Sequence, residues 1–375
     1  MDLMATILYL LIFVYTLVIL FFLIGLFKDS QPHSFLTPFV SVVIPAKNEK
    51  DNIDKLIRDL LMQTYDETNY EIILVDDESS DITPNICRTY AEKHSNIKFL
   101  STAGIDSPLK FKKRPLDIGI RNSMGEIILL TDADCRVQPE WIESMVSFFN
   151  EDTGMVIGHS NIASAKTVRE GIEALDFLML SGGARSSAQL QIPLACTGQN
   201  LAYRKSVYNE CGGFNSFAEA TGGDDVLLLQ QIKHKTSYHV IGANDPKSYV
   251  LTSPSPNWES FLSQRIRWAS DSAQIKNLDP FFFGIIFVTF LVNLFPVIII
   301  FTLFFSSAGL APLEKGLVVK FIVEGAFMMK STDVFNRADL RKYFALWFVF
   351  QMPYIVAMGI LSTGKNKISW GGRNK

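Results

Sequence analysis

Charged positions are absent from three long stretches of this chain. Residues 3–27 carry no charge, and neither do residues 281–305 and 343–363. About 20 apolar residues are enough for a helix to cross a bilayer. We therefore predict an N-terminal transmembrane anchor in residues 1–30 and a C-terminal transmembrane region in residues 281–363. A cleaved signal peptide is the alternative for the first stretch, but that stretch lacks the basic start and the small-residue cleavage site of such peptides.

A fourth apolar stretch, residues 316–329, is interrupted by Lys320 and Glu324, which fall four apart on one helical face. Three interpretations stay open for it: a further transmembrane helix, a re-entrant hairpin or an interfacial helix. The tail in residues 364–375 is basic. Because basic flanks favour the cytoplasmic face, we expect this tail on that side.

Residues 38–257 alternate between strand and helix patterns. The runs FVSVVIP and EIILVDD are rich in β-branched residues and are stopped by proline and by acids. NIDKLIRDLLMQ, between them, places apolar residues at helical spacing. IKFLST and EIILLTD repeat the strand pattern. The order predicts an α/β domain with a mostly parallel sheet, whose ligands bind beyond the carboxyl ends of the strands.

Residues 258–280 are predicted to form an amphipathic helix at the membrane surface. The segment WESFLSQRIRW mixes apolar and polar residues at helical spacing, and it lies just before the apolar run that begins at Phe281. Trp268 could therefore sit at the membrane interface.

Charge and cysteine content narrow the class of protein. The formal net charge is −3, which gives no reason to expect a nucleic-acid partner. Four cysteines, Cys87, Cys135, Cys196 and Cys211, are scattered without a CxxC pair. This argues against a zinc site or a disulfide framework and fits a reducing compartment.

Two carboxylates end one predicted strand. Asp132 and Asp134 follow EIILL, and residues two apart on an extended chain point the same way. Two converging carboxylates repel unless a cation lies between them. Mg²⁺ and Mn²⁺ take one or two carboxylates together with substrate phosphates, so the pair indicates a metal site that also holds a diphosphate. A solvated acidic turn is the alternative.

Other acidic and basic residues accompany this pair. Asp76 and Asp77 end another strand, and no glycine-rich phosphate loop is present. A diphosphate would therefore need cations, which Lys112 and its two basic neighbours could supply, unless they form a solvated basic turn. Asp224 and Asp225 follow two glycines and open a helical pattern. They could cap that helix, or one could act as a general base.

Taken together, the motifs resemble those of the membrane-integrated, inverting family 2 glycosyltransferases, which have a GT-A fold. The resemblance covers residues 39 to about 275. It rests on the order and spacing of IPAKNE, VDDESSD, TDAD, TGQNLAYRK, GGDD and QRIRW.

This resemblance implies a role for each matching residue. Glu49 and Asp77 match contacts to the nucleotide base and ribose, with Pro45 shaping that pocket. Lys112 matches a lysine near the nucleotide, although Phe111 replaces the usual preceding glycine.

The remaining motifs match the metal, the base and the diphosphate contacts. Asp132 and Asp134 match the metal-binding pair, with Asp134 the more direct ligand of Mg²⁺ or Mn²⁺. Asp225 matches the catalytic base, and Asp224 replaces the family's glutamate. The residues matching Q-x-x-R-W, which holds the donor diphosphate and the acceptor end, are Gln264, Arg267 and Trp268.

The expected protein is an integral membrane enzyme with a cytoplasmic catalytic domain. It would move a sugar, with inversion, from a nucleotide-diphosphate donor, a UDP-sugar being favoured, to a lipid or lipid-linked acceptor. The few membrane helices favour a lipid over a growing polymer, which would need a wide channel. The alternatives are a polysaccharide synthase component, a nucleotide-sugar binding protein without catalysis, and a transporter subunit.

Overall fold

The computed structural model describes residues 3–30, 32, 37–163, 165–218, 223–270, 275–276, 278–303 and 311–362. These residues form two compact units. The sheet unit contains residues 29–163 and 187–253, and the helical unit contains residues 1–28, 164–186 and the described residues from 254 onward.

The described residues contain nine strands, at positions close to the predicted ones where the sequence pattern is strong. They are β1 (Val40–Ala46), β2 (Tyr70–Asp76), β3 (Ile97–Ser101), β4 (Ile127–Leu130), β5 (Thr153–Ile157), β6 (Ser160–Ile162), β7 (Leu201–Arg204), β8 (His239–Gly242) and β9 (Val250–Thr252). Seven of them form one sheet in the order β3-β2-β1-β4-β7-β5-β8. β7 is antiparallel to both of its neighbours, and the other pairs are parallel. β6 and β9 form a small separate sheet.

The α-helices among the described residues are numbered in chain order. They are α1 (Leu3–Gly25), α2 (Ile53–Leu61), α3 (Thr83–Lys93), α4 (Lys113–Arg121), α5 (Trp141–Val146), α6 (Val168–Gln189), α7 (Lys205–Glu210), α8 (Asp224–Lys235), α9 (Trp258–Ser270), α10 (Pro280–Leu303), α11 (Ala311–Val334) and α12 (Phe344–Ser362).

The sheet is buried on both faces, as parallel sheets generally are. Alternate residues of its strands point to opposite sides. Val42 and Leu74 pack with α2 and α5 in one apolar cluster, while Val43 and Ile73 pack with α4 and α8 in the other. The central strands are therefore apolar on both faces, and polar side chains gather at the strand ends.

Within the described part of the helical unit, three helices are long and apolar enough to cross a membrane: Ala5–Gly25, Pro280–Ile300 and the stretch Ala338–Ser362. They fall in the two regions predicted to be transmembrane. The ambiguous stretch at 316–329 is continuous α-helix within α11. The first 13 residues of the predicted interfacial segment form helix α9, and their place at the membrane surface stays a prediction. Residues 271–274 and 277 of that segment lie outside the described residues.

Candidate active site

The carboxyl ends of β1, β2 and β4 meet at one edge of the sheet, because these strands are parallel neighbours. Ala46, the last residue of β1, pairs with Asp76 of β2. The loops that follow the three strands carry Glu49, Asp77 and Asp132. This edge therefore gathers acidic side chains that are distant in sequence.

Glu49, Asp77 and Pro45 lie at the ends of β1 and β2. Pro45 is buried within β1, and the fully buried Asp77 accepts a hydrogen bond from the Thr102 hydroxyl at 2.9 Å. The Glu49 carboxylate accepts a hydrogen bond from Asn52 at 3.0 Å. Burial raises the pKa of Glu49 to about 7, against the lowering effect of the Asn52 hydrogen bond and with help from nearby Asp134 and Asp132.

The chain turns at Asp132 and Asp134, and the expectation of an extended pair is wrong at this point. β4 ends at Leu130, and the Cys135 N–H donates to the Asp132 carbonyl at 3.0 Å. The two carboxylates still affect each other. The surrounding protein and Asp132 raise the pKa of Asp134 to about 6, against the lowering effect of Lys112, although Asp134 keeps contact with solvent.

These carboxylates fit a divalent cation. Oxygen ligands suit Mg²⁺ and Mn²⁺, which commonly take one or two carboxylates and complete their shell with substrate phosphates and water. Among the described residues, no three His, Cys, Asp or Glu side chains are grouped so as to hold a metal without substrate. Asp134 would be the main ligand, because the Asp132 carboxylate is already paired with Lys112.

Lys112 is bound to one of the predicted metal ligands. Its Nζ lies 2.5 Å from Asp132 Oδ1. Burial alone would lower the pKa of Lys112, but Asp132, Asp224 and Asp225 raise it above its usual value, so this lysine is charged. The backbone of Phe111, the residue before Lys112, lies in the left-handed region, with φ 56°. Glycine adopts this conformation at little cost, which explains why the family pattern has glycine there.

Asp225 is held by backbone donors at the start of α8. Its Oδ2 accepts from the Gly198 N–H at 2.6 Å, and its Oδ1 accepts from the Val226 N–H at 2.8 Å. The residue that precedes the helix is Gly223, with φ 65°. Burial and Asp224 raise the pKa of Asp225 to about 6, while Lys112 and the two backbone donors oppose the rise. Asp225 is therefore a carboxylate that can accept a proton near neutral pH.

The side chains of Lys112 and Asp225 come close together at Gly198. A Cβ added at this glycine would lie 3.1 Å from Lys112 Nζ and 3.6 Å from Asp225 Oδ2. The structure thus joins Asp132, Lys112 and Asp225 in one cluster. Gly198 is a residue that sequence reasoning missed as an individual contact, although it lies in the TGQN segment. The sequence signal that could have identified this contact is the glycine itself, because a side chain at this position would fill the space beside Lys112 and Asp225.

The other three predicted residues lie on α9, in the helical unit. Arg267 is half-buried and has no ion-pair partner among the described residues, and Trp268 is 36% exposed. Arg265, which sequence reasoning also missed, is buried and pairs with Asp176 Oδ2 at 2.9 Å. It donates to Gln264 Oε1 at 3.1 Å, and its guanidinium lies 4.2 Å from the Trp268 ring centroid. Arg265 therefore orients two of the three predicted residues.

Asn200, in the TGQNLAYRK segment, is a buried structural residue. It accepts from Trp141 Nε1 at 3.0 Å and donates to the carbonyls of His159 and Ser248 at 2.8 Å each. The four residues after it form β7, inside the sheet. Within that segment, therefore, residues 197–199 precede β7 and include Gly198, whose N–H donates to the Asp225 carboxylate.

Comparisons with known proteins agree with this fold. The family model for Glycosyl transferase family 2 matches residues 41–212, and that for Glycosyl transferase family group 2 matches residues 127–362. The chain resembles the probable glycosyltransferase YdaM of Bacillus subtilis, with 29% identity over 65% of this chain and 58% of that one. It also resembles a beta-monoglucosyldiacylglycerol synthase of Trichormus variabilis, with 35% identity over 51% of this chain and 40% of that one. The chain therefore spans about half the length of these relatives.

A solved structure shows the same fold. The mannosyltransferase PcManGT from Pyrobaculum calidifontis, in complex with GDP-Man and Mn²⁺, superposes with a TM-score of 0.62 at 18% identity. The match covers 96% of this chain and 99% of that one. At this identity the likeness concerns the fold, and it confirms the predicted α/β fold of GT-A type with flanking apolar helices.

Proposed function

Since the chain belongs to glycosyl transferase family 2, we propose that it transfers a sugar from a nucleotide-diphosphate donor to a hydroxyl group of a lipid or lipid-linked acceptor. The observation that carries the proposal is the cluster of Asp132, Lys112 and Asp225 beyond the strand ends. A protein that only binds a nucleotide sugar needs no base. A half-buried carboxylate with its pKa raised to about 6 is suited to accept a proton.

Asp225 acts as the general base in this proposal. It removes the proton of the acceptor hydroxyl as that oxygen attacks the anomeric carbon of the donor sugar. The bond between this carbon and the diphosphate oxygen breaks, and the electron pair leaves on the nucleotide diphosphate. Because attack and departure occur on opposite faces, the product has the inverted configuration, and no covalent enzyme intermediate is required.

Charge on the leaving diphosphate is balanced by cationic groups. Lys112 supplies one positive charge beside Asp132, and electrostatic stabilisation of this kind is often the largest catalytic contribution. A bound Mg²⁺ or Mn²⁺, held by Asp134 with Asp132, would supply Lewis-acid stabilisation of the same oxygens. Gln264, Arg267 and Trp268 keep the roles that the family pattern assigns, on the diphosphate and the acceptor end. Glu49 and Asp77 likewise keep the contacts to the nucleotide base and ribose, and Pro45 keeps its place in shaping that pocket.

A lipid acceptor is favoured over a water-soluble one. The part of the chain that the structure describes contains three helices long and apolar enough to cross a membrane, and one relative is named for synthesis of a glucosyldiacylglycerol. We infer an integral membrane enzyme whose sheet unit faces the cytoplasm, where nucleotide sugars are made. The second candidate, a polysaccharide synthase component, uses the same site with a glycan acceptor.

The test is a donor and acceptor screen with the purified full chain in detergent. Nucleotide sugars, UDP-sugars first, are incubated with Mn²⁺ and a membrane lipid extract, and products are identified by mass spectrometry. We expect a glycolipid whose formation stops on addition of EDTA and in the Asp225→Asn variant. Nucleotide-sugar binding without product or nucleotide release, under all donors, would leave only a binding protein and refute the proposal.

A further inference from the structure

Helix α11 carries charges in its middle, and for this reason composition alone does not select it as a membrane span. Lys320 and Glu324 lie near its centre, and the helices that are long and apolar enough are found elsewhere. These two side chains are nevertheless enclosed, with 0% and 1% exposure, and they form an ion pair of 2.8 Å. The charges that disfavour a membrane position are therefore not presented to the surroundings.

The carboxylate of this pair has three partners inside the helical unit. Besides Lys320, Glu324 accepts a hydrogen bond from the Tyr15 hydroxyl of α1 and another from Gln351 Nε2 of α12, each at 2.6 Å. The Lys320 ammonium also lies 4.6 Å from the Phe348 ring centroid. Charged side chains within membranes are tolerated when they face the bundle interior and are paired in this way.

The outer face of α11 is apolar over most of its length. Val318, Phe321, Ile322 and Met329 are between 41% and 61% exposed. Besides the enclosed pair, the charge between Lys315 and Asp333 is that of Lys330, which is half-buried and lies close to the end of the helix. These 17 intervening residues extend about 26 Å, close to the hydrocarbon thickness of about 30 Å, and lysines near helix ends can reach the interface.

α11 runs alongside α1 in the same direction. A Cβ on Gly316 would lie 3.5 Å from Ile12, near the start of both helices. The Phe22 and Phe327 rings are 6.3 Å apart near their ends. Between these points lies the hydrogen bond from Tyr15 to Glu324. A bilayer that α1 crosses therefore surrounds α11 at the same depth.

α12 meets α11 in a different way, at one short patch. The rings of Phe344 and Phe348 both lie 5.0 Å from the ring of Phe321. Gln351, seven residues after Phe344, reaches Glu324, three residues after Phe321. Contacts that are seven residues apart on α12 are therefore only three residues apart on α11. The axis of α12 is oblique to that of α11, and the two helices do not run side by side.

The depth of α12 can be gauged from aromatic contacts on α1. Phe21 lies 6.3 Å from Phe281 at the start of α10, and Phe22 lies 6.3 Å from Phe327 of α11. These contacts mark one level, near the end of α1 that leads to the sheet unit. α10 leads away from that level, because only residues 304–310 connect its end to the start of α11.

Both ends of α12 lie at similar heights above this level. Phe344 contacts Phe321, which at a rise of 1.5 Å per residue is about 9 Å from Phe327. A Cβ on Gly359 would lie 2.5 Å from the Phe290 ring, and Phe290 is about 14 Å from Phe281 on the same scale. The contacts of Phe344 and Gly359 thus differ in height by about 5 Å, although the 15 residues from one to the other extend about 22 Å along the helix.

We propose that α1, α10 and α11 cross the bilayer, that the Val318–Met329 face of α11 contacts lipid acyl chains, and that α12 does not cross. α12 lies at a shallow angle to the membrane plane, on the side of the membrane where α1 ends. The segment between α11 and α12 and the basic tail then both lie on the same side as Lys28. This arrangement of helices in the membrane does not depend on the proposed sugar transfer.

Single introduced cysteines in the full chain test this arrangement, with labelling by a membrane-impermeant maleimide in right-side-out and inside-out vesicles. Lys28→Cys marks the reference side, and Glu314→Cys, at the exposed start of α11, is the matched control for the opposite side. We expect Ala338→Cys and Asn374→Cys to label together with Lys28→Cys. The parent chain, with its four native cysteines, gives the background.

Each other pattern contradicts the proposal in a specific way. Labelling of Ala338→Cys from the side opposite to Lys28→Cys, together with Glu314→Cys, would show that α11 does not cross. Labelling of Asn374→Cys from the opposite side, with Ala338→Cys on the Lys28 side, would show that α12 crosses as a fourth span. Labelling of both Glu314→Cys and Ala338→Cys from the Lys28→Cys side would also exclude a crossing by α11.

Discussion

At the scale of single residues, two adjacent acids at the start of α8 differ in their surroundings. Asp225 accepts from the Gly198 and Val226 N–H groups, which fix its carboxylate beside Lys112. Asp225→Asn keeps the shape but cannot take a proton, so turnover should fall by about 10²–10⁴-fold, the usual contribution of a general base. Asp224→Asn is the matched control and should cost less. The measurement is transfer rate beside nucleotide-diphosphate binding, which both variants should retain.

The opposite ranking would transfer the role to its neighbour. If Asp224→Asn abolished transfer while Asp225→Asn stayed close to the parent, the base would be Asp224. A loss of nucleotide binding in either variant would indicate damage to the donor site and not to proton transfer.

The pKa of Asp225 also predicts how activity depends on pH. Burial and Asp224 raise it to about 6, and the base works only in its deprotonated form. The rate should therefore rise with pH up to about 6 and level off above it, falling about tenfold per pH unit on the acid side. The measurement is kcat against pH with saturating donor. The residual activity of Asp225→Asn should lack this acid limb, and an unchanged limb in that variant would assign it to another group.

At the scale of elements, the sequence predicted β1 to β4 and α2 within one or two residues. Their patterns are local, since alternating or continuous apolar runs end at proline or acids. β7 was not predicted as a strand. It lies antiparallel between β4 and β5, and this pairing depends on residues more than 40 positions away in the chain. Long-range pairing leaves no local pattern in so short a strand.

The site was predicted to a similar extent. Strand ends and motif order located Asp132, Lys112 and Asp225, but not the contacts that hold them. Gly198 contacts Asp225 through its backbone, and Arg265 binds Asp176 on a helix far away in sequence. Backbone donors and buried ion pairs of this kind follow from tertiary packing. Neither has a spacing that a sequence motif records.

Helix α11 contains a buried ion pair, and removing only one of its two charges should destabilise the protein. Lys320→Met leaves the enclosed Glu324 carboxylate without its cation, and breaking a buried pair in this way costs about 3–5 kcal/mol. The double variant Lys320→Met with Glu324→Gln should recover much of this loss, because no uncompensated charge remains. Lys315→Met, at the exposed end of the helix, is the control. The measurement is thermal unfolding of the detergent-solubilised chain.

A double variant no more stable than Lys320→Met would contradict this account. It would mean that the amide cannot replace the carboxylate towards Tyr15 and Gln351, so that hydrogen bonding and not charge balance maintains the packing of the three helices.

At the scale of the whole molecule, one chain joins a sheet unit that carries the site and a helical unit that carries apolar helices. The proposed donor is soluble in water, and the proposed acceptor is dissolved in the membrane. The transfer rate should then depend on a different measure of concentration for each substrate. The donor follows its bulk concentration, whereas a lipid acceptor confined to a surface follows its mole fraction in that surface.

Diluting the surface at constant bulk acceptor distinguishes these cases. With the acceptor lipid in mixed micelles, added inert detergent should lower the transfer rate in proportion to the acceptor's mole fraction. The KM for the donor should not change. Hydrolysis of the donor without acceptor is the internal control, and its rate should stay constant through the dilution. A transfer rate that ignores surface dilution would instead indicate an acceptor in the aqueous phase, and would favour the glycan-acceptor alternative over a lipid.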